Sequence, residues 1–287
     1  MTTLTTLTTT MTSTTTNTSM HQPPIRISGA TRLYAILGDP IAQVKSPELF
    51  SNLFAASGFD AVMVPVHAPS DKFEAIVPAL KTIGNIDGLI FTVPFKNRAL
   101  PFADRLGDTG GRIEAINALR REHDGTWTGD MFDGKGFVNG ARTKGLTIEG
   151  RRVALFGAGG AGSAIACELA ASGVASIALI DPVHDRARAL AVRLRREFPA
   201  CALRATTAVP DDTNMIINAS TVGMKPTDRY PGDLGTIGHD TLFGDVVITE
   251  TPTPMIRLAM ERGCGFVTGR DMIGGQSQAI LAFLTHR

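Results

Sequence analysis

The sequence predicts an α/β fold in two domains, and three observations carry that prediction. Short apolar runs that suit buried strands alternate with stretches of helical periodicity, the pattern of a parallel sheet flanked by helices. A glycine-rich turn, Gly157-Ala158-Gly159-Gly160-Ala161-Gly162, stands between one such run and a helical stretch, and an acidic residue closes the next run. At 287 residues the chain exceeds one ordinary core and accommodates two.

The elements follow in order. Leu33 to Gly38 reads as a buried strand that ends in a turn at Asp39-Pro40, and a helix is expected from Ser46-Pro47, with serine as cap and proline at its first position. Ala61 to Val66 is a second strand, Asp71 to Thr82 a helix, and Gly88 to Val93 a third strand stopped by Pro94. A second unit begins near Asp133. It holds a strand over Arg152 to Phe156, the glycine turn, a helix over Ala161 to Ser172, and a strand over Ala175 to Ile180 closed by Asp181-Pro182. A basic amphipathic helix over Arg186 to Phe198 and a strand over Asn214 to Asn218 come next. The last apolar helix, Met272 to Leu284, has no strand after it and is expected to pack back across the domain boundary.

Composition narrows the function. Hydrophobic residues at 43% and charged residues at 19% describe a soluble globular protein, and a net charge of +1 provides no field for nucleic acid or an acidic membrane. Cys167, Cys201 and Cys264 are scattered, which suits neither a disulfide framework nor a zinc site and fits a reducing, cytoplasmic setting. No HExxH or EF-hand pattern points to a metal. From Val153 to Ile180 the only charge is Glu168, yet glycines at 157, 159, 160, 162 and 173 cut that run into strand, turn, helix, turn and strand, so it is not read as a membrane span. Residues 1–24, dominated by threonine, lack the features of a signal or transit peptide and are expected to form a disordered tail.

The glycine turn satisfies GxGxxG. Glycine permits the tight turn and a close approach of backbone N–H groups to a pyrophosphate, and the helix N-terminus adds partial positive charge. Asp181 ends the following strand 24 residues after Gly157, a position from which a carboxylate accepts hydrogen bonds from adenine ribose hydroxyls. The expectation is a Rossmann-type, doubly wound dinucleotide domain. A 2′-phosphate would face Asp181, with no arginine before Arg186, which favours NAD while NADP stays open. The plainer alternative is that Asp181 only caps the turn before the helix.

Single polar residues are weaker signals. Lys96, just beyond a strand end in Thr92-Val93-Pro94-Phe95-Lys96, stands where active sites of parallel sheets lie, but a lysine there is more often a solvated charge. Asp133 reads equally as a turn aspartate, and Asn117 as a cap. Their order along the chain says more. Gly38-Asp39-Pro40-Ile41, Lys45-Ser46-Pro47, Thr92 to Lys96, Ile116-Asn117, Gly129-Asp130 and Asp133-Gly134 precede the glycine turn. Asn218-Ala219-Ser220-Thr221-Val222-Gly223-Met224, Thr253-Pro254-Met255, Gly269 and Met272 to Gln276 follow it. This series, from about Leu33 to Leu284, resembles the shikimate/quinate dehydrogenase family.

The resemblance implies a substrate-binding domain over residues 25–132, joined by the C-terminal helix 272–287, and an NAD(P)-binding domain over 133–271, with a cleft between them. It implies Lys96 and Asp133 as a catalytic pair for reversible hydride transfer between nicotinamide and shikimate/3-dehydroshikimate. Thr92, Asn117 and Gln276 would meet ring hydroxyls and Ser46 the carboxylate. Ser220, Thr221 and Gly269 would line the nicotinamide side, and residues 157–162 with Asp181 the rest of the cofactor. The partner implied is a small cyclic hydroxy acid; the protein itself is expected to be a monomer or homodimer.

Two positions depart from the family pattern. Where the family has a pair of serines gripping the carboxylate, Val44 replaces the first and only Ser46 remains; where it has a tyrosine reaching the same group, Ile248 stands. A hydrogen bond to a charged group contributes roughly 1.5–3 kcal/mol, so losing two weakens carboxylate binding by about two to four powers of ten. Either the carboxylate is held differently, through Thr249 or backbone donors, or the favoured substrate is not ordinary shikimate; within the same chemistry quinate, which an NAD preference favours, an aminoshikimate or another cyclic hydroxy acid stays open. Readings of other kinds are a nucleotide-binding sensor without turnover, against which the retained Lys96 and Asp133 argue, and a two-domain dehydrogenase acting on a folate, which the Asn117 and Asp133-Gly134 matches oppose.

Overall fold

A computed structural model describes residues 25–225 and 227–286; the segment read above as a disordered tail lies outside the described residues. The chain builds two six-stranded sheets. The first contains β1 (Arg32–Gly38), β2 (Ala61–His67), β3 (Ile86–Phe91), β4 (Arg105–Leu106), β5 (Ala118–Arg121) and β6 (Trp127–Asp130), in the order β2-β1-β3-β5-β6-β4. Helices α1 (Ser46–Ala56), α2 (Phe73–Lys81) and α3 (Asp108–Ile113) connect them.

The first sheet is mixed where a parallel sheet was expected. β1 pairs β2 and β3 in parallel, but β5 runs antiparallel to both β3 and β6. The reason is local. Residues 122–126 make a tight turn in which Glu122 N–H donates to Thr126 O (2.7 Å) and Gly125 adopts φ +83°, so β5 and β6 form a hairpin. Pro65 is tolerated in β2 because β2 is an edge strand. At α1, Lys45 and not Ser46 holds the cap position and no side chain caps the helix; Ser46 is its first helical residue.

The second sheet is parallel throughout, in the order β12-β11-β10-β7-β8-β9. Its strands are β7 (Arg152–Phe156), β8 (Ser176–Ile180), β9 (Ala202–Ala205), β10 (Met215–Asn218), β11 (Leu242–Asp245) and β12 (Phe266–Thr268). Helices α4 (Asp133–Thr143), α5 (Gly160–Ala171), α6 (His184–Glu197) and α7 (Pro254–Glu261) surround it. Val153 and Leu155 on β7, Ile177 and Leu179 on β8, and Met215 and Ile217 on β10 form one buried core with the apolar faces of α4, α5 and α6, which is why these strands read as unbroken apolar runs.

Helix α8 (Gly269–Thr285) ties the two sheets together. Its first half crosses α4 so closely that a Cβ on Gly275 would lie 2.2 Å from Gly136 O, a contact only glycine permits. Its second half packs Ile280 and Leu284 into the core of Tyr34, Ile36, Phe50 and Phe54 on the first sheet, and Tyr34 Oη donates to Leu284 O (3.2 Å). Among the described residues no helix is long and apolar enough to cross a membrane.

Candidate active site

Each sheet has a point at which its parallel strand order reverses. In the second sheet β7 lies between β8 and β10, and in the first β1 lies between β2 and β3. Loops leaving the carboxyl ends of such strands diverge and leave a crevice. Four segments therefore frame one site: the turn after β7 with Gly157, the turn after β10 with Ser220, the loop after β1 with Ser46, and the loop after β3 with Lys96. All of them line a single cleft of about 930 Å³.

Lys96 is held from beneath. Phe95 is fully buried and stacks on Phe73 with ring centroids 3.9 Å apart, and Lys96 O accepts from Ile116 N–H at 2.9 Å. The Lys96 ammonium donates to Asp133 Oδ2. Asp133 opens α4, whose N-terminal dipole favours a carboxylate, and its side chain is only 2% exposed against 15% for Lys96. The β5–β6 hairpin brings Asn117 beside it: Asn117 Nδ2 donates to Asp133 Oδ1 at 2.9 Å and to Gln276 Oε1 at 3.2 Å, while Asn117 Oδ1 accepts from Phe132 N–H at 3.0 Å. Both carboxylate oxygens of Asp133 are thus engaged, and Lys96, Asp133, Asn117 and Gln276 form one hydrogen-bonded array drawn from four elements.

The glycine turn closes on the same place. Gly157 sits at φ +99°, and a Cβ on Gly162 would lie 1.9 Å from Gly157 O, so the loop folds tightly onto the first turn of α5. A Cβ on Gly159 would meet nothing within 4 Å, which leaves open space above the loop. The first N–H groups of α5 have no partner inside the helix. A dinucleotide pyrophosphate fits such a cradle. Asp181 accepts from Ala158 N–H (2.7 Å) through one oxygen and from Val183 N–H (2.8 Å) through the other, so it fastens the loop and caps the turn before α6. Each oxygen keeps a second lone pair, and the residue lies on the cleft wall.

Of the residues expected from sequence, Lys96, Asp133, Ser46, Thr92, Asn117, Gln276, Gly157, Ala158, Gly159, Gly160, Ala161, Asp181, Ser220 and Thr221 all line the cleft. Gly162 and Gly269 do not. Gly162 shapes the turn from behind, and Gly269 lets the start of α8 approach the 246–248 segment, where a Cβ would lie 2.4 Å from Val246 O. Thr249 also stands off the wall, its hydroxyl donating to Thr251 O at 2.6 Å, so it supplies no substitute carboxylate grip. Val44 and Ile248 are both on the wall, as is the exposed Lys45.

Two further features shape the cleft. Arg186, Ala189, Leu190 and Arg193 turn one face of α6 to the cleft, a spacing visible in the sequence but read there only as amphipathic. Arg186 Nη1 stands 3.6 Å from Asp181 Oδ2 and is half-exposed. Arg193 Nη2 pairs with Glu114 Oε2 at 2.6 Å, joining α6 to the end of α3 across the cleft; residues 79 apart carry no sequence signal of such a pair.

The profile of the shikimate dehydrogenase substrate binding domain matches residues 36–119. A shikimate dehydrogenase (NADP+) of Geobacter sulfurreducens is 31% identical over 267 residues, covering 90% of this chain and 92% of the relative. One from Halorhodospira halophila is 34% identical over 243 residues, covering 84% and 87%. Among solved structures, shikimate 5-dehydrogenase of Listeria monocytogenes in complex with shikimate and NAD superposes with a TM-score of 0.78 at 25% identity, over 91% of this chain and 94% of that one.

Proposed function

This chain belongs to the shikimate dehydrogenase family, and we propose from that premise and from its cleft that it catalyses reversible, nicotinamide-dependent oxidation of shikimate to 3-dehydroshikimate in the cytoplasm. The observation that carries the reading is the joining of Lys96, Asp133, Asn117 and Gln276 in one array that opens into the cleft bounded by the glycine turn.

The dinucleotide would be held by the Gly157–Ala161 cradle, by Asp181 and by the Ser220–Thr221 turn. When bound it supplies the hydride acceptor for the alcohol and the hydride donor for the ketone. The remaining chemistry is a proton, and the protein handles it. The Lys96 ammonium donates a proton to the ketone oxygen as negative charge develops there; in reverse its amine receives the hydroxyl proton. Asp133 stabilises the protonated lysine and aims it, and Asn117 aims Asp133. Thr92, Asn117 and Gln276 orient ring hydroxyls, and Ser46 meets the carboxylate.

Asp181 favours NAD, because a 2′-phosphate beside it would be repelled and ribose hydroxyls would not. Arg186 offsets part of that charge, which makes the preference modest, in keeping with relatives named for NADP+. Val44 and Ile248 on the wall remove two donors from the carboxylate end and leave the choice of acid open, and an NAD preference suits a catabolic enzyme, so quinate belongs beside shikimate in the test.

The test mixes purified protein with NAD or NADP and a panel of shikimate, quinate and related acids, following reduced nicotinamide by absorbance. Turnover with shikimate is expected. Clear cofactor binding with no turnover on any acid would overturn the proposal in favour of a nucleotide-binding sensor.

A further inference from the structure

Behind the Ser220 side of the cleft lies a buried polar cluster centred on a carboxylate to which the proposed chemistry gives no part. Asp245, the last residue of β11, is 2% exposed and off the cleft wall. Its Oδ2 accepts from Thr253 Oγ1 at 2.7 Å. Its Oδ1 accepts from Asn218 Nδ2 at 3.1 Å and from Val247 N–H at 3.0 Å. Each donor leads somewhere different.

Asn218 ends β10, and its amide organises the next turn: Nδ2 also donates to Val222 O at 2.8 Å, and Oδ1 accepts from Ser220 N–H (3.1 Å) and Ser220 Oγ (2.7 Å). Ser220 Oγ in turn accepts from Val222 N–H at 3.1 Å. Val247 belongs to the 246–248 segment, which forms another part of the wall. Thr253 caps α7 by accepting from Ile256 N–H at 3.3 Å. One carboxylate therefore joins the two wall segments and pins them to a helix.

We propose that Asp245 is a positioning residue for the reaction, fixing the 219–222 and 246–248 segments against each other so that the nicotinamide-side wall is formed before the cofactor arrives. Burial, the largest influence on this carboxyl, pushes its pKa up to about 6. The groups that face it are Asn218, Thr253 and the Val247 N–H, with no charged side chain among them, so the ionised form is kept by neutral donors alone. An apolar residue of similar shape would fill the space without that cost, but it would leave the Val247 N–H and one Asn218 amide hydrogen without acceptors and the two segments unjoined. Retaining a costly buried ion where two binding segments meet is what a functional constraint produces.

The inference rests on the dinucleotide reading of the cleft, and its test separates the two. Binding of NADH and NADPH is followed by reduced-nicotinamide fluorescence, well below each variant's unfolding midpoint, for wild type, Asp245→Leu and Asp245→Asn. The expected result is a dissociation constant at least tenfold higher in Asp245→Leu and within threefold of wild type in Asp245→Asn, whose amide oxygen still accepts from Asn218 and Val247. A merely structural role would lower the midpoint of Asp245→Leu without moving its affinity, and affinity within twofold of wild type overturns the proposal. Should Asp245→Leu not fold, the pair Thr253→Val and Thr253→Ser decides: loss with valine and recovery with serine supports it, and equal affinities overturn it. Absence of any binding by wild type would instead overturn the dinucleotide reading and this inference with it.

Discussion

A Gly160→Ala substitution adds one methyl group at the first residue of α5, and that Cβ would lie 2.7 Å from the Lys96 Cβ. Carbon atoms rest roughly 3.5–4.0 Å apart, so about 1 Å of separation must be found. It cannot come from the far end of a flexible side chain, because the Lys96 Cβ is fixed to a main chain held by the Phe95–Phe73 stack and by the Ile116 N–H bond to Lys96 O. Either the glycine loop lifts or the lysine turns away from Asp133. A displacement of about 1 Å in a reacting group costs on the order of a hundredfold in rate. The fold should not suffer in parallel, since Gly160 does not occupy the left-handed region and alanine favours a helix by up to about 1 kcal/mol over glycine. Steady-state rates followed by reduced-nicotinamide absorbance, beside urea unfolding, should show kcat/KM lower by roughly a hundredfold with an unfolding midpoint near that of wild type. Turnover within threefold of wild type would refute the claim that the cradle and the lysine are packed as one site.

Other outcomes follow from the same geometry. If Asp181 sets a preference for NAD as proposed, Asp181→Ala should lower the ratio of kcat/KM for NAD over NADP; an unchanged ratio would remove Asp181 from cofactor choice. Val44→Ser restores one donor at the carboxylate end and should raise kcat/KM for shikimate by roughly ten- to a hundredfold, the worth of one hydrogen bond to a charged group; no gain would mean that the carboxylate does not reach this wall. Asp245 gives a pH dependence of stability. Its folded pKa, raised to about 6, exceeds the unfolded value, so its ionised form penalises the fold fully above that pH, and the penalty is relieved as pH falls towards 4. The penalty is on the order of 3 kcal/mol, so the stability advantage of Asp245→Asn over wild type should be largest at neutral pH and shrink on acidification. A difference between the two unfolding midpoints that stays constant with pH would contradict it.

How far the sequence could be read depended on length and period. The β7–α5–β8 unit was legible because its strands are buried on both faces and glycine marks the turn. The β5–β6 hairpin was not, although Asp124-Gly125 between two four-residue strands is a turn signal; Asn117 owes its place beside Asp133 to that hairpin. Strands β4 and β12 span two and three residues, too short for a period to appear. Lys96, Asp133 and Asn117 were legible as a set only through the order of their motifs, since each alone reads as an ordinary surface or turn residue. Asp245 and the Glu114–Arg193 pair carried no signal at all. Their meaning lies in partners brought together by the fold, and one polar residue at a strand end or on a helix face resembles many others.

The proposal for the chemistry stands on Lys96 and Asp133 acting as one proton-handling unit, and a double-mutant cycle measures that directly. Single-turnover rates would be compared for wild type, Lys96→Ala, Asp133→Asn and the double variant. A lost proton-transfer group costs at least about a hundredfold, so Lys96→Ala should fall by that much. Because Asp133 works through the lysine, the double variant should fall no more than about threefold further. Near-normal turnover in Lys96→Ala, or losses that multiply as though the two residues were independent, would contradict the account.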